Sequence, residues 1–461
     1  MQFKKIEERD IRVFEKLVGK DRLSMGVSNL RLHSYDQSHH SPCLPELIIW
    51  PLKEEEVSDI LDYANRQMIP VTAWGAGTSL EGNPIPIYGG IVLDFSFMNK
   101  IIAIREEDFQ ADVQPGVIYQ DLNHSLRHKG LFFPPDPGAR ATIGGMIGNN
   151  ASGSKCIRYG STRDNIVKLR VVLANGEIID IGTRSQKSSS GYDLLRLFIG
   201  SEGTLGIVVQ ATVKRRGIPE GSCAILVSFH DIESASRAVY EIIKAGLEPV
   251  RLEMMDSRCI QVINRIKGLD LAPHETILVE FHGSSMEGIK EAVELTEDIC
   301  NSLNCTGFVW GIERDKYKRI IDARHSLGES IRKEHPGRIH TVTDVAVPIS
   351  AFPEMVSLAY LEIRDISVPA YIFGHAGSGN LHLAFMVEQG NRKEWETVDK
   401  IKDRLIKKAL SLDGTSTGEH GVGIGKREYM GLEHGKALFW MEKIKRLFDP
   451  NGILNPGKIF P

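Results

Sequence analysis

Apolar residues in the first half of the chain occur both in short continuous runs and at helical spacing. Residues 47–50 and 69–74 are apolar runs, and residues 53–68 between them carry apolar side chains three and four positions apart. Short continuous apolar runs are typical of buried strands, and apolar residues three and four positions apart are typical of one face of a helix. The pattern predicts a strand, helix, strand unit, with a further strand over residues 90–95.

The second half alternates in the same way. Strand-like apolar runs lie over residues 224–229 and 277–281. A stretch with apolar residues at helical spacing follows each run, over residues 232–245 and 286–303. This order predicts an antiparallel sheet covered by helices. A last helix is predicted over residues 432–448.

A glycine-rich loop, residues 75–82, follows the second predicted strand directly. Glycine loops after strands suit phosphate binding, because their backbone N–H groups can converge on one anion. The NAD-type fingerprint needs a helix after the loop, and Pro84 and Pro86 forbid one. The Gly-Lys-Ser/Thr of nucleotide triphosphate loops is absent. An anion cradle and a plain tight turn both stay open for this loop alone.

Two further glycine clusters favour the cradle. In residues 134–160, Thr142 can cap a short helix whose glycines allow close backbone approach. The start of such a helix attracts phosphate. Residues 200–206 lead into another strand-like run over residues 207–213. Three glycine loops beside strands indicate one extended ligand bound by backbone.

Two short motifs in the second half carry chemistry. His375 and His382 flank a glycine-rich turn, and Glu419 and His420 stand together between glycines. Imidazoles and a carboxylate with open positions suit a divalent ion such as zinc or manganese. Structural or solvent-facing histidines remain the alternative.

Arg324 falls on the apolar face of a helical stretch over residues 318–333, marked by Ile320, Leu327 and Ile331. An inward guanidinium needs an anionic partner, because an isolated buried charge costs several kcal/mol. That partner is either a structural carboxylate or an anionic substrate.

Composition narrows the class of protein. The chain has 461 residues, 42% of them apolar, and a net charge of −4, which excludes disordered and collagen-like chains and makes nucleic acid a poor partner. Its length suggests two or three domains. The six cysteines form no CxxC pair, which argues against a disulfide scaffold, a cysteine zinc site or an iron-sulfur cluster.

No apolar run approaches the length of a membrane helix, and residues 1–22 lack the apolar core of a signal peptide. We therefore expect a cytoplasmic protein without a transmembrane segment. Peripheral contact with the inner face of the membrane stays open, because the last predicted helix carries several cations.

Taken together, residues 75–82, 134–138, 144–153 and 200–206 resemble the FAD-binding domain of the vanillyl-alcohol oxidase type. Within that type the chain is similar to the family of D-lactate dehydrogenase, glycolate oxidase large subunit and D-2-hydroxyglutarate dehydrogenase, from about residue 44 to residue 458. The resemblance implies an α+β fold with a two-subdomain FAD-binding domain (residues 1–216). It also implies an α+β cap with an antiparallel sheet and the metal site (217–428), and a segment that returns to the flavin domain (429–461).

The resemblance also implies a set of FAD contacts, with Ile207 or Val208 near the adenine. Relatives with covalent flavin commonly use a histidine in the first loop, and none lies between Val71 and Gly90, so non-covalent FAD is expected. The implied FAD-binding residues are Gly75, Ala76, Gly77, Thr78, Ser79, Leu80, Gly82, Asn83, Pro137, Gly138, Thr142, Gly144, Gly145, Gly148, Asn149, Ser152, Gly153, Glu202, Gly203, Ile207, Val208 and Asn455.

In the same family, the positions matching His375, His382 and Glu419 bind a divalent metal, here Zn or Mn. The position matching Arg324 binds the substrate carboxylate, and the one matching His420 removes the hydroxyl proton. The implied reaction is oxidation of a D-2-hydroxy acid to a 2-oxo acid with hydride transfer to flavin. Electrons would then pass to a quinone, a cytochrome, an electron-transfer flavoprotein or an iron-sulfur subunit.

Two positions indicate the size of the substrate that the resemblance implies. Hydroxyglutarate enzymes of this family carry Lys and Asn where this chain has Val342 and Ala384, so a small monocarboxylate, D-lactate first, is favoured. A further departure is Ser378, where the family usually has Asp. A glycolate oxidase large subunit that needs partner subunits and a D-2-hydroxyglutarate dehydrogenase remain alternatives.

Two rivals from other classes remain. One is the relative that makes ether lipids without net redox chemistry. The other is a non-catalytic FAD-binding subunit, against which the intact histidine and glutamate motifs argue.

Overall fold

The computed structural model describes residues 3–311 and 314–461. Its first half is built on two sheets. The strands of this half are β1 (Leu23–Ser24), β2 (Leu47–Ile49), β3 (Val71–Trp74), β4 (Ile91–Asp94), β5 (Ile101–Arg105), β6 (Gln110–Val113), β7 (Leu131–Phe132), β8 (Ile166–Val172), β9 (Ile178–Gly182), β10 (Ile207–Lys214) and β11 (Arg216–Gly217). The helices are α1 (Glu8–Val18), α2 (Val27–Leu32), α3 (Glu54–Gln67), α4 (Tyr119–Arg127), α5 (Ile143–Asn149), α6 (Cys156–Tyr159), α7 (Thr162–Asn165) and α8 (Leu194–Phe198).

The first sheet has the order β1-β2-β4-β3, with β2 and β3 both parallel to β4. Helix α3 connects β2 to β3 and buries Val57, Ile60, Leu61 and Ala64 against the sheet. The predicted strand, helix, strand unit is confirmed. No helix forms between β3 and β4, as the prolines in that loop predict.

The second sheet is antiparallel and has the order β5-β6-β10-β8-β9. Helix α5 packs Ile143, Met146 and Ile147 into the same core. Its N-cap is Thr142, whose hydroxyl accepts a hydrogen bond from the N–H of Gly145 at 3.1 Å, as the sequence predicts.

The second half is a long antiparallel sheet covered by helices, which confirms the predicted architecture. Its strands are β12 (Gly221–Phe229), β13 (Arg251–Met255), β14 (Glu275–Gly283), β15 (Gly307–Trp310), β16 (Arg338–Val342), β17 (Val345–Ala346), β18 (Ala370–Gly374) and β19 (Asn380–Glu388). They run in the order β15-β12-β14-β13-β18-β19-β16, and β17 also pairs with β19. The helices are α9 (Ile232–Lys244), α10 (Ser257–Lys267), α11 (Met286–Ser302), α12 (Arg314–His325), α13 (Leu327–Glu334), α14 (Phe352–Arg364), α15 (Arg392–Ser411), α16 (Met430–His434) and α17 (Ala437–Phe448).

The prediction of two continuous helices is wrong, because each is divided into two in the structure. The stretch over residues 318–333 divides at Ser326, which has a φ of −94° and a ψ of 16° and whose hydroxyl donates to the carbonyl of Asp322 at 2.7 Å, a contact that bends helices. The stretch over residues 432–448 divides at Gly435, which has a φ of 51°. A left-handed residue cannot continue a right-handed helix.

The end of the chain adds to the first sheet. Leu454 forms a parallel bridge with Val71, and the N–H of Asn455 donates to the carbonyl of Val71 at 2.8 Å. Within the described ranges, no helix combines the length and the apolar character needed to cross a bilayer.

Candidate functional site

One continuous cavity of about 620 Å³ is lined by residues from both halves of the chain. Most of the predicted cofactor and catalytic residues meet there. Those lining the cavity are Gly75, Ala76, Gly77, Thr78, Ser79, Leu80, Asn83, Pro137, Gly138, Thr142, Gly144, Gly145, Gly148, Asn149, Glu202, Gly203, Ile207, Val208, Arg324, His375, His382, Glu419 and His420.

The first glycine loop is held against helix α5. A Cβ on Gly75 would lie 2.3 Å from Oγ1 of Thr142, so only glycine permits this approach. The hydroxyl of Ser79 accepts from Nδ2 of Asn149 at 3.2 Å and donates to Asn83 at 2.7 Å. These contacts draw two glycine segments that are distant in sequence into one wall of the cavity.

Four predicted cofactor residues do not line the cavity. The N–H of Gly82 donates to Asp36 at 2.9 Å, and Nδ2 of Asn455 donates to the carbonyls of Asn83 and Glu202. Gly153 has a φ of 132°, and the backbone of Asp136 lies where its Cβ would be. The hydroxyl of Ser152 donates to Glu419. These residues brace the loops that form the wall.

Glu202 lines the cavity, but its carboxylate accepts hydrogen bonds from the N–H groups of Val422 and Gly423, at 2.6 and 3.0 Å. It therefore joins the third glycine loop to the segment that follows His420.

Three candidate metal ligands converge at one end of the cavity. His375 follows β18 and His382 lies on β19, which pairs with β18. Nε2 of His375 lies 3.1 Å from Oε1 of Glu419, and Nε2 of His382 lies 3.3 Å from the same oxygen. The donor atoms of the three residues all lie within 4.8 Å of one another.

Each of the two histidines is oriented by a second contact. Nδ1 of His375 donates to Glu253 at 2.8 Å, and Nδ1 of His382 donates to the carbonyl of Thr343 at 3.2 Å. Metal-binding histidines normally have this arrangement, because a bond at one nitrogen leaves the other free to bind the ion. The side chains therefore fit a divalent cation.

The electrostatics of the group agree with that fit. Although burial opposes the charged imidazole, Glu253 and Glu419 raise the pKa of His375 to about 10. Burial also opposes ionisation of Glu419, yet His375 and His382 hold its pKa well below the usual value. Two buried carboxylates thus require a positive charge between them.

Asp344 organises the loop that carries Glu419 and His420. Its Oδ2 accepts from the backbone N–H groups of both residues, each at 2.8 Å, and from the hydroxyl of Thr417 at 2.8 Å. A Cβ on Gly418 would lie 2.2 Å from Nδ2 of Asn380, which donates to the other carboxylate oxygen at 2.8 Å, so glycine is needed for this close approach. A second grouping of Asp344, His382 and His420 has metal-like spacing. We assign it a structural role, because these donors already occupy the carboxylate.

His420 stacks on His382, with ring centroids 5.2 Å apart and an angle of 9° between the planes. Burial lowers its pKa to about 4 against the opposing effect of Asp344. Its carbonyl accepts from Nδ2 of Asn149 at 3.2 Å, which ties it to the cofactor wall.

Arg324 lies on α12 and is 6% exposed. Its Nη2 lies 2.6 Å from Oε2 of Glu253, and its guanidinium lies over the ring of Phe373. The structural carboxylate considered from the sequence is therefore present. However, Nε and Nη2 find no hydrogen-bond acceptor with suitable geometry among the described residues, and the side chain still lines the cavity.

Sequence reasoning missed Glu253, which contacts both His375 and Arg324. No local signal marks it, because it stands inside a strand far from either partner in sequence. The hydroxyl of Ser378 donates to the carbonyl of His375 at 2.9 Å and leaves the imidazole to Glu253. The carboxylate that contacts the imidazole of His375 therefore comes from β13.

The fold and the cavity define a flavoprotein with an FAD-binding domain of the vanillyl-alcohol oxidase type. Residues 45–182 match the FAD binding domain family, and residues 218–459 match the family of FAD linked oxidases, C-terminal domain. The 4-ethylphenol oxidase of Gulosibacter chungangensis shares the fold with a TM-score of 0.80, covering 100% of this chain and 99% of that one at 18% identity.

The chain belongs to the FAD-linked oxidase family of oxidoreductases. It is 36% identical to a probable mitochondrial D-lactate dehydrogenase of Danio rerio, over 98% of this chain and 92% of that protein. It is 37% identical to the glycolate oxidase subunit GlcD of Bacillus subtilis, over 93% and 92% of the two chains.

Proposed function

We propose that this protein oxidises a D-2-hydroxy acid to the 2-oxo acid, with non-covalent FAD and a divalent cation, zinc or manganese. The observation that carries the proposal is the convergence of His375, His382 and Glu419 beside Arg324 and His420 at one end of the FAD cavity. A flavin fold that only bound its cofactor would have no use for this set of donors.

The substrate would lie at that end of the cavity. Arg324 would bind the carboxylate through guanidinium N–H groups that make no well-aligned hydrogen bond to the described residues, since guanidinium and carboxylate can pair in a fork. Glu253 would hold the guanidinium in place through its contact with Nη2. His375, His382 and Glu419 would hold the cation.

The chemistry needs one proton acceptor and one hydride acceptor. When bound, the cation polarises the 2-hydroxyl and FAD accepts the hydride from C2. His420 would remove the hydroxyl proton as general base. Loss of this proton and of the hydride leaves the carbonyl of the 2-oxo acid.

D-Lactate is the first substrate to test. Val342 and Ala384 are direct partners across β16 and β19, both are buried, and Val342 lines the cavity. These small apolar side chains suit the methyl group of lactate, and the Danio rerio relative is named for the same reaction.

A second candidate is a glycolate oxidase subunit, which the similarity to GlcD supports. The two candidates differ in whether the purified chain, without partner subunits, turns over its substrate. Either enzyme must pass electrons from the reduced flavin to a quinone, a cytochrome, an electron-transfer flavoprotein or an iron-sulfur subunit.

The test is anaerobic reduction of the purified, FAD-loaded chain by D-lactate, L-lactate, glycolate and D-2-hydroxyglutarate, with metal analysis of the same sample. The proposal expects a D-2-hydroxy acid to bleach the flavin, and turnover with an artificial acceptor. Bleaching without turnover favours the subunit. Failure of every acid to bleach the flavin would overturn the proposal and favour a non-redox relative.

A further inference from the structure

Helix α17 packs against the core of the second sheet along one side. Ile444 and Phe448 contact that core, and the ring of Phe448 meets the ring of Phe198 with centroids 5.1 Å apart. Nζ of Lys445 donates to the carbonyl of Thr204 in the third glycine loop at 2.7 Å. The inward side of α17 is therefore fixed by both apolar and polar contacts.

The opposite side of α17 mixes large apolar and basic side chains. Residues three and four apart share one face of a helix, and positions 436, 440, 443 and 447 have this spacing. The residues on this outward face are Lys436, Phe439, Trp440, Lys443, Arg446 and Leu447.

The apolar members of the outward face are well exposed. Phe439, Trp440 and Leu447 have 53%, 66% and 73% of their surface open to solvent. The solvent side of a packed helix normally carries charged and polar residues. A group of large apolar side chains on that side instead indicates a surface that binds another body.

The outward face is also basic, although the chain as a whole has a net charge of −4. Its charged members are Lys436, Lys443 and Arg446, and no carboxylate stands among them. Nζ of Lys443 lies over the ring of Phe439, 5.2 Å from its centroid. The one acid within α17, Glu442, lies beside the face and 4.0 Å from Arg446. The local charge is therefore opposite in sign to that of the whole protein.

Other exposed apolar side chains occur in a different setting. Val309 and Trp310 are exposed on β15, a strand that carries no charged residue. Tyr360 and Leu361 are exposed on α14, where the carboxylate of Glu362 follows them directly. The combination of apolar exposure with cations and without acids distinguishes the outward face of α17.

An anionic lipid surface matches both properties of the outward face. Helices that lie in a membrane interface place Trp, Phe and Leu between the headgroups and the acyl chains, and their Lys and Arg beside lipid phosphates. An acidic protein would also attract the cations. However, lysine is depleted in the cores of protein interfaces, and here two lysines stand between the apolar side chains.

We propose that the outward face of α17 binds the surface of an anionic bilayer. Trp440 and Leu447 enter the region between headgroups and acyl chains, and the three cations contact lipid phosphates. The contact is peripheral and goes beyond the proposed reaction. None of the residues on the outward face lines the cavity.

The test is flotation of the FAD-loaded protein with vesicles of phosphatidylcholine, alone or mixed with phosphatidylglycerol. We expect clear binding to the mixed vesicles and much weaker binding to phosphatidylcholine alone. Binding should fall as the salt concentration rises, because salt screens the attraction between the cations and the lipids.

Two variants address the two properties separately. Lys443→Gln should weaken binding to the mixed vesicles by roughly fivefold, the effect of one cation near an anionic surface. Trp440→Ser should weaken it by roughly tenfold or more, because a large apolar side chain no longer enters the interface. The matched controls are Lys393→Gln, an exposed lysine of α15, and Trp310→Ser on β15, which should bind like the wild type.

Fluorescence shows whether α17 itself enters the lipid. Mixed vesicles with brominated acyl chains should quench part of the tryptophan emission of the wild type. Trp440→Phe should keep most of the binding, because phenylalanine preserves the apolar contact, and lose that quenching. Unchanged quenching in Trp440→Phe would overturn the proposal, because another part of the protein would then contact the bilayer.

Three further results separate the possible outcomes. Failure of the wild type to float with the mixed vesicles overturns the proposal, and retention on polyglutamate beads would then assign the face to an acidic protein. Wild-type binding in both Lys443→Gln and Trp440→Ser also overturns it. Flavin reduction should be the same in all these variants, so failure of the proposed reaction leaves the flotation result valid.

Discussion

The hydroxyl of Ser152 donates a hydrogen bond of 2.8 Å to Oε2 of Glu419. Ser152 follows the glycines of α5, and Glu419 is one of the candidate metal ligands. The contact couples the FAD cavity wall to the site where the hydroxy acid would bind.

Removing that hydroxyl should weaken metal binding. Loss of a residue that orients a metal ligand typically costs tenfold to hundredfold in affinity, so we expect a loss of that order in Ser152→Ala, with FAD content unchanged. A competition titration with a chromophoric chelator measures it. Ser378→Ala is the control, because that exposed hydroxyl donates to the carbonyl of His375 and makes no hydrogen bond to Glu419. Wild-type metal affinity in Ser152→Ala would contradict the prediction.

Chelation should stop the reaction and leave the flavin in place. Without a cation, Glu253 and Glu419 keep a proton on His375, whose pKa is raised to about 10. We expect the chelated enzyme to retain FAD and to be reduced by dithionite, but not by D-2-hydroxy acids. Added zinc or manganese should restore reduction. A fully active, metal-free sample would refute the role of the cation.

Replacement of His420 tests the proposed base. His420→Ala should keep FAD and metal, and slow flavin reduction by roughly a hundredfold to ten-thousandfold, the usual contribution of a general base. Stopped-flow absorbance of the flavin measures the rate. His128→Ala, at the exposed end of α4, is the control. Near-normal reduction in His420→Ala would show that another group takes the proton.

A buried ion pair joins the two halves of the chain. Asp136 accepts from Arg251 of β13 at 2.8 Å and from Ser154 at 2.9 Å. Although burial opposes ionisation, Lys155 and Arg251 hold the pKa of Asp136 well below its usual value of 3.8. We expect Asp136→Asn to reduce stability by about 3 kcal/mol at pH 7, the lower end of the range for a broken buried pair, because Arg251 loses one of its two carboxylate partners and keeps Glu280.

The sign of the pH dependence follows from that depressed pKa. The stabilisation by Asp136 is complete above its unfolded pKa and is lost as pH falls towards the lower folded value, so the difference between the two proteins should begin to shrink below about pH 4. Urea unfolding at several pH values measures the difference. Asp121→Asn is the control, because its pair with Arg140 is exposed and worth about 0–1 kcal/mol. A constant difference down to pH 3 would contradict the assignment.

The sequence alone determined the local features of this protein. Thr142 as an N-cap, the prolines that exclude a helix after the first glycine loop, and the alternation of strands and helices depend on residues close together in the chain. The glycine clusters and the motifs around His375 and Glu419 also predicted which segments meet at the cavity.

Only the tertiary structure decided which side chains orient that chemistry. Glu253 and Asp344 carry no local signature, because their partners lie on other strands and loops and are brought near by sheet register and loop packing. The break at Ser326 likewise sets where α13 begins. Whether Arg324 finds a carboxylate partner is a property of the packed cavity wall, since side-chain partners depend on how helix and sheet pack together.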